Sequence, residues 1–134
     1  MRILKSLLFA IALAFPGAVL AQGADIQRVI NGQIQSFLKD DFATAFTFAA
    51  PNIRGMFRTP ENFGRMVTRG YPMVYRPSEV EFQDIEPRGA EILQRVRLRD
   101  TKGQYFMAEY TMVLIGTEWK IAGVSILREP GVGV

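Results

Sequence analysis

Apolar positions recur first with a helical period and then with a strand period. Ile26, Val29, Ile30, Ile34, Phe37 and Leu38 form one stripe, which predicts a helix from about Asp25 to Leu38. Lys39-Asp40-Asp41 interrupts the stripe. Asp40 or Asp41 can then cap a second helix through Ala49, with Phe42, Ala45, Phe46 and Ala49 inward. Pro51 ends that helix and can open a short turn through Phe57. Thr59-Pro60 is a third start, a capping hydroxyl followed by a proline at the first helical position. Phe63, Met66 and Val67 face inward there, Gly70 suits the C-terminal cap, and Pro72 blocks continuation.

After Pro72 the period is two. Strands are predicted around Glu79 to Phe82, Arg95 to Arg99, Gln104 to Leu114 and Glu118 to Leu127. Thr101-Lys102-Gly103 and Gly116-Thr117 read as hairpin turns. Register follows if both partners of every pair must face the same way. Leu98 then pairs with Phe106, Val96 with Ala108, Arg95 with Glu109 and Gln94 with Tyr110. Across the next turn Leu114 pairs with Trp119, Met112 with Ile121, Tyr110 with Gly123 and Ala108 with Ser125. A loop centred on Arg88 pairs Val80 with Val96, Glu81 with Arg95 and Glu79 with Arg97. One inner face results, carrying Val80, Phe82, Val96, Leu98, Phe106, Ala108, Tyr110, Met112, Trp119 and Ile121. Helices followed by strands imply an α+β fold: three N-terminal helices packed on a curved four-stranded antiparallel meander.

The segment before the first helix has a different character. Arg2 and Lys5 precede an apolar run from Leu7 to Phe15, Pro16-Gly17 breaks it, and Val19-Leu20-Ala21 follows. This is the pattern of a secretory signal peptide, residues 1–21, cleaved after Ala21. The run is shorter than the roughly 20 residues of a spanning helix, so no membrane anchor is expected after cleavage. A single domain over residues 22–134, in the periplasm or outside the cell, is what remains. The formal net charge of +3 falls to +1 once Arg2 and Lys5 are removed, and no basic block suggests nucleic acid as a partner.

Composition narrows the chemistry. The chain has no cysteine and no histidine. Disulfides, thiol catalysis and a Ser-His-Asp triad are therefore excluded, and zinc and copper lose their usual ligands. No metal or cofactor is expected. General acid–base work would fall to carboxylates or tyrosines, and no inward pair of carboxylates emerges.

Three features remain as candidates. Arg95, Arg97 and Arg99 form a stripe that reads as a cross-strand charge ladder between Glu81 and Glu109 and opposite Glu79. Gln94, Tyr110 and Ser125 cluster on the inner face and would floor a small-molecule pocket, with Tyr71 and Tyr75 at its mouth. On the outer face Met107, Val113, Ala122, Val124 and Ile126 form an apolar patch suited to a homodimer interface.

The order of elements, and the ending Glu118-Trp119-Lys120-Ile121-Ala122-Gly123-Val124, resemble the nuclear transport factor 2-like (SnoaL-like, cystatin-like) cone. More closely, the chain is similar to an uncharacterised family of exported bacterial proteins, domain of unknown function 4864. The carrying residues are Asp40-Asp41, Ala45-Phe46, Ala49 to Ile53, Met66-Val67, Gly70-Tyr71-Pro72, Val74-Tyr75-Arg76-Pro77, Gln94-Arg95-Val96, Tyr110 and the Trp119 strand. The resemblance implies fold and compartment, and no activity. Cone enzymes such as ketosteroid isomerase and scytalone dehydratase use Asp, Tyr or His inside the cone, whereas this chain offers Tyr110 alone. The expected function is a non-catalytic periplasmic module that binds a small, mostly apolar ligand in the cone. A structural homodimer acting through the sheet face is the alternative, and a SnoaL-like enzyme stands third.

Overall fold

The computed structural model describes residues 16–129. The n-region and apolar run of the expected leader therefore lie outside the described residues. Helix α1 (Pro16–Leu38) starts earlier than the stripe predicts and runs unbroken through Ala21-Gln22. Ile26, Ile30, Ile34 and Phe37 are fully buried, as the stripe requires.

Asp41 caps α2 (Phe42–Thr47): its carboxylate accepts from the Thr44 backbone N–H at 3.1 Å and from the Thr44 hydroxyl at 2.7 Å. The helix stops short of Ala49, which instead forms a parallel bridge with Ile121. Ala50 donates to the Ile121 carbonyl at 2.8 Å and Ile121 donates to that of Phe48 at 2.9 Å. The segment thus covers part of an edge strand whose backbone groups would otherwise stand unpaired.

Two helices follow, α3 (Pro51–Phe57) and α4 (Pro60–Gly70), both opened by proline. The Thr59 hydroxyl accepts from the Asn62 N–H at 3.1 Å, the cap its sequence predicts. Pro72 does more than prevent continuation of α4. It opens a further turn, α5 (Pro72–Tyr75), by the same first-position rule.

Strands β1 (Glu79–Arg88), β2 (Glu91–Arg99), β3 (Tyr105–Ile115) and β4 (Glu118–Arg128) form one antiparallel meander in chain order. The β2–β3 register is as predicted, with Leu98 opposite Phe106, Arg95 opposite Glu109 and Gln94 opposite Tyr110. The other two pairings depart at bulges. In β1 an extra residue between Phe82 and Ile85 places Val80 opposite Leu98, Glu81 opposite Arg97 and Glu79 opposite Arg99. The expected partners were two residues away, an even shift that leaves every side chain on its face.

In β4 the bulge flips faces. Met112 still faces Ile121, but Thr111 faces Gly123, Tyr110 faces Val124 and Ala108 faces Ile126. Ala122 is the inserted residue. Beyond it the expected pairing of Tyr110 with Gly123 and Ala108 with Ser125 fails by one residue, the effect of a bulge on a period-two pattern. Val124 and Ile126 turn inward and pack on the core, while Ser125 is exposed opposite Glu109.

The charge ladder is present with different partners. Arg95 bonds Asp84 at 2.6 Å, Glu86 at 2.9 Å and Glu109 at 3.1 Å. Arg97 bonds Glu129 at 3.0 Å and lies 3.8 Å over the Tyr105 ring. Arg99 bonds Glu79 at 2.8 Å. These arginines are committed to neighbouring carboxylates, which leaves little field for an external anion.

Candidate functional site

The bulge in β4 begins the site. It brings Val124 onto the inner face and leaves Gly123, with no side chain and open space where a Cβ would stand, beside it. The Asn52 side-chain amide donates to the freed Ala122 carbonyl at 3.0 Å, so α3 is tied to the bulge from above. Between this strand and the helices lies a cavity of about 310 Å³. Ile53, Met56 and Phe57 of α3 and Phe63, Met66 and Val67 of α4 form its upper walls. Ile121, Gly123 and Val124 form its floor, and Tyr71, Val74, Ala49 and Phe37 complete it. Met56, 67% exposed, stands at its mouth.

One polar side chain enters from α1. Gln33 is 3% exposed and lines the cavity. Its Nε2 donates to the Ala45 carbonyl at 3.1 Å, which fixes the amide. Tyr71 is the other polar residue of the lining, and no carboxylate belongs to it among the described residues.

The five residues expected to bind a ligand are dispersed. Tyr71 lines the cavity. Tyr110 and Gln94 are fully buried on the inner face but outside the cavity lining. Gln94 Nε2 donates to the carbonyls of Gln83 at 3.0 Å, Asp84 at 3.3 Å and Arg95 at 2.9 Å, so it ties down the β1 bulge. Burial pushes the Tyr110 phenol well above the ordinary tyrosine range. Ser125 faces the opposite side of the sheet, because of the bulge.

Tyr75 serves a clasp. Its hydroxyl donates to Asp40, as does the Arg76 guanidinium at 3.0 Å, and Arg76 also donates to the Phe37 carbonyl at the end of α1. The hydrogen bond from Tyr75 holds the Asp40 carboxyl below its usual value, with Arg76 adding to the effect. The same hydrogen bond raises the Tyr75 phenol. Arg76 lies 4.0 Å over the Tyr75 ring, which stacks on Phe42. The Tyr75-Arg76-Pro77 and Asp40-Asp41 segments thus meet as a fastening of α1 to the helix–sheet crossing. The outer-face residues divide as well: Met107 and Ala122 are half-buried there, and Val124 and Ile126 are inside.

Sequence reasoning missed Gln33, Phe37 and all three α3 residues as cavity lining. The available signal was Gln33 itself, a polar residue one turn before Phe37 on the stripe of α1.

Helices folded over one face of a curved four-stranded meander, with a hollow between them, define an α+β protein of the NTF2-like class. A solved structure, an NTF2-like protein of unknown function from Shewanella baltica OS155, matches with a TM-score of 0.58 at 13% identity, over 84% of this chain and 97% of that one. At that identity the likeness shows the fold. Within this class the chain belongs to the family described as Domain of unknown function (DUF4864), which it matches over residues 19–134. No curated protein matches it in sequence. Among the described residues no helix is long and apolar enough to cross a membrane, and no group of three His, Cys, Asp or Glu residues could hold a metal.

Proposed function

We propose that the chain is an exported, non-catalytic module that holds one small, mostly apolar molecule in the cavity between α1, α3, α4 and β4. The observation that carries this reading is the cavity: about 310 Å³, walled by apolar side chains, with an exposed methionine at its mouth. Small-molecule sites are commonly hollows of roughly 300–1,000 Å³ with a few polar groups among apolar walls. Catalysis by acid–base chemistry would need a group that can be tuned to the working pH, and the lining offers only Gln33 and Tyr71. The leader pattern of residues 1–21 supports export to the periplasm or beyond.

A second reading, a homodimer formed through the outer sheet face, is supported by Leu127. It is 52% exposed and stands opposite Met107 on that face. Leu127→Glu is the substitution that disrupts this face, since Val124 packs on the core and a charge there would enter the interior.

Native mass spectrometry of the protein purified from its own compartment tests all three elements. The expected result is a chain beginning at Gln22 that carries a small molecule released on activation, and Met66→Trp should displace that molecule while the fold persists. Failure of the wild type to carry any molecule or to bind an apolar fluorescent probe would overturn the ligand reading. A chain beginning at Met1 would overturn export. A wild type that stays monomeric at high concentration would overturn the dimer.

A further inference from the structure

We infer that the cavity's occupant carries a neutral hydrogen-bond donor at its buried end, an O–H group on an apolar body such as a phenol or a long-chain alcohol. The inference rests on the ligand-binding reading above and specifies the chemistry of the ligand. Gln33 supplies it. The side chain is 3% exposed, lines the cavity and donates from Nε2 to the Ala45 carbonyl at 3.1 Å. A flipped amide would set its oxygen against that carbonyl oxygen, so the orientation is fixed by chemistry. The Oε1 atom is then the free end. It accepts no hydrogen bond among the described residues, although an amide oxygen has two lone pairs to fill.

An acceptor at the cavity wall with no protein partner is completed by a donor on the ligand. The surrounding walls decide the charge of that donor. No cationic side chain lines the cavity to receive an anion, and no carboxylate lines it to receive an ammonium. An ion entering there would lose its hydration without compensation. A neutral O–H loses little and pairs with the Gln33 carbonyl oxygen. Phe37, one turn beyond Gln33 on α1, together with Phe63 and Val67, supplies the apolar surroundings for the rest of the molecule.

The test uses two probes that differ only in the donor, 4-hexylphenol and its methyl ether 4-hexylanisole. Titration calorimetry on the mature protein should show the phenol binding about threefold to tenfold more tightly, the worth of one neutral hydrogen bond. Gln33→Met, of similar length and without the amide, should bind the two probes equally. The wild-type comparison alone decides the matter if that variant does not fold. Equal affinities in the wild type, or a preference for the ether, would overturn the donor while leaving an apolar cavity. Binding of neither probe would overturn both the donor and the cavity reading.

Discussion

Replacing Tyr110 with phenylalanine should stabilise the protein. Tyr110 is fully buried, and its hydroxyl has no hydrogen-bond partner among the described residues. The facing Gln94 leaves its Oε1 unpaired in the same interior. A buried polar group without a partner costs about 1–3 kcal/mol. Removing one oxygen vacates on the order of 10 Å³, and at about 24 cal/mol per Å³ that void costs only some tenths of a kcal/mol. The balance favours Tyr110→Phe by about 1–2 kcal/mol, a rise of about 4–8 °C in midpoint for a domain near 110 residues. Thermal unfolding followed by circular dichroism at pH 7 reads it directly. The sign with pH is fixed by burial, which raises the phenol in the folded state. The stability tied to the neutral phenol is fully present below the unfolded value of about pH 10 and is lost as pH rises beyond it. The variant lacks this loss, so its advantage should widen above pH 10. A midpoint that falls by several degrees at pH 7 would refute the reasoning, because it would mean that the hydroxyl has a partner worth more than its burial.

Glycine substitutions should separate two helices. A Cβ on Gly64 would lie 2.8 Å from the Phe42 ring, which is stacked on Tyr75, whereas a Cβ on Gly55 meets nothing within 4 Å. Gly64→Ala should destabilise, since overpacking costs typically about 1–3 kcal/mol against a helical gain of about 1, and Gly55→Ala should stabilise by up to about 1 kcal/mol; urea midpoints for both variants check the opposite signs. Asp40→Asn should flatten the acid limb of stability. The Tyr75 hydrogen bond lowers the Asp40 carboxyl, so its contribution is present above the ordinary value of about 4 and is lost as pH falls through the lower folded value. Asparagine tolerates the positive φ of 56° at this position, so the backbone should survive the change. Parallel wild-type and variant curves between pH 7 and 2 would exclude the role.

What could be read from the sequence follows the limits of a period-two pattern. Parity fixed the β2–β3 register, because Gly103 takes the left-handed turn at φ +87° and no residue is inserted between the strands. Parity is blind to an even slip, hence the two-residue error at β1. Gln94 was placed correctly beside Tyr110, but the carbonyls it holds exist only because β1 bulges. Hollows are illegible for a different reason. Phe63, Met66 and Val67 read as inward, and inward apolar residues look alike whether they meet or leave a gap.

The bulge at Ala122 joins the two largest departures. Without the extra residue, Val124 and Ile126 would face outward with Met107 and widen an apolar sheet patch, and Ser125 would point at the helices. With it, Val124 becomes cavity floor and Ile126 packs on the core, while Ser125 joins Glu109 on the wet face. The bond from Asn52 to the Ala122 carbonyl ties that choice to α3, the helix that carries the mouth of the cavity. A single inserted residue therefore withdraws apolar surface from the outer face and adds it to the interior.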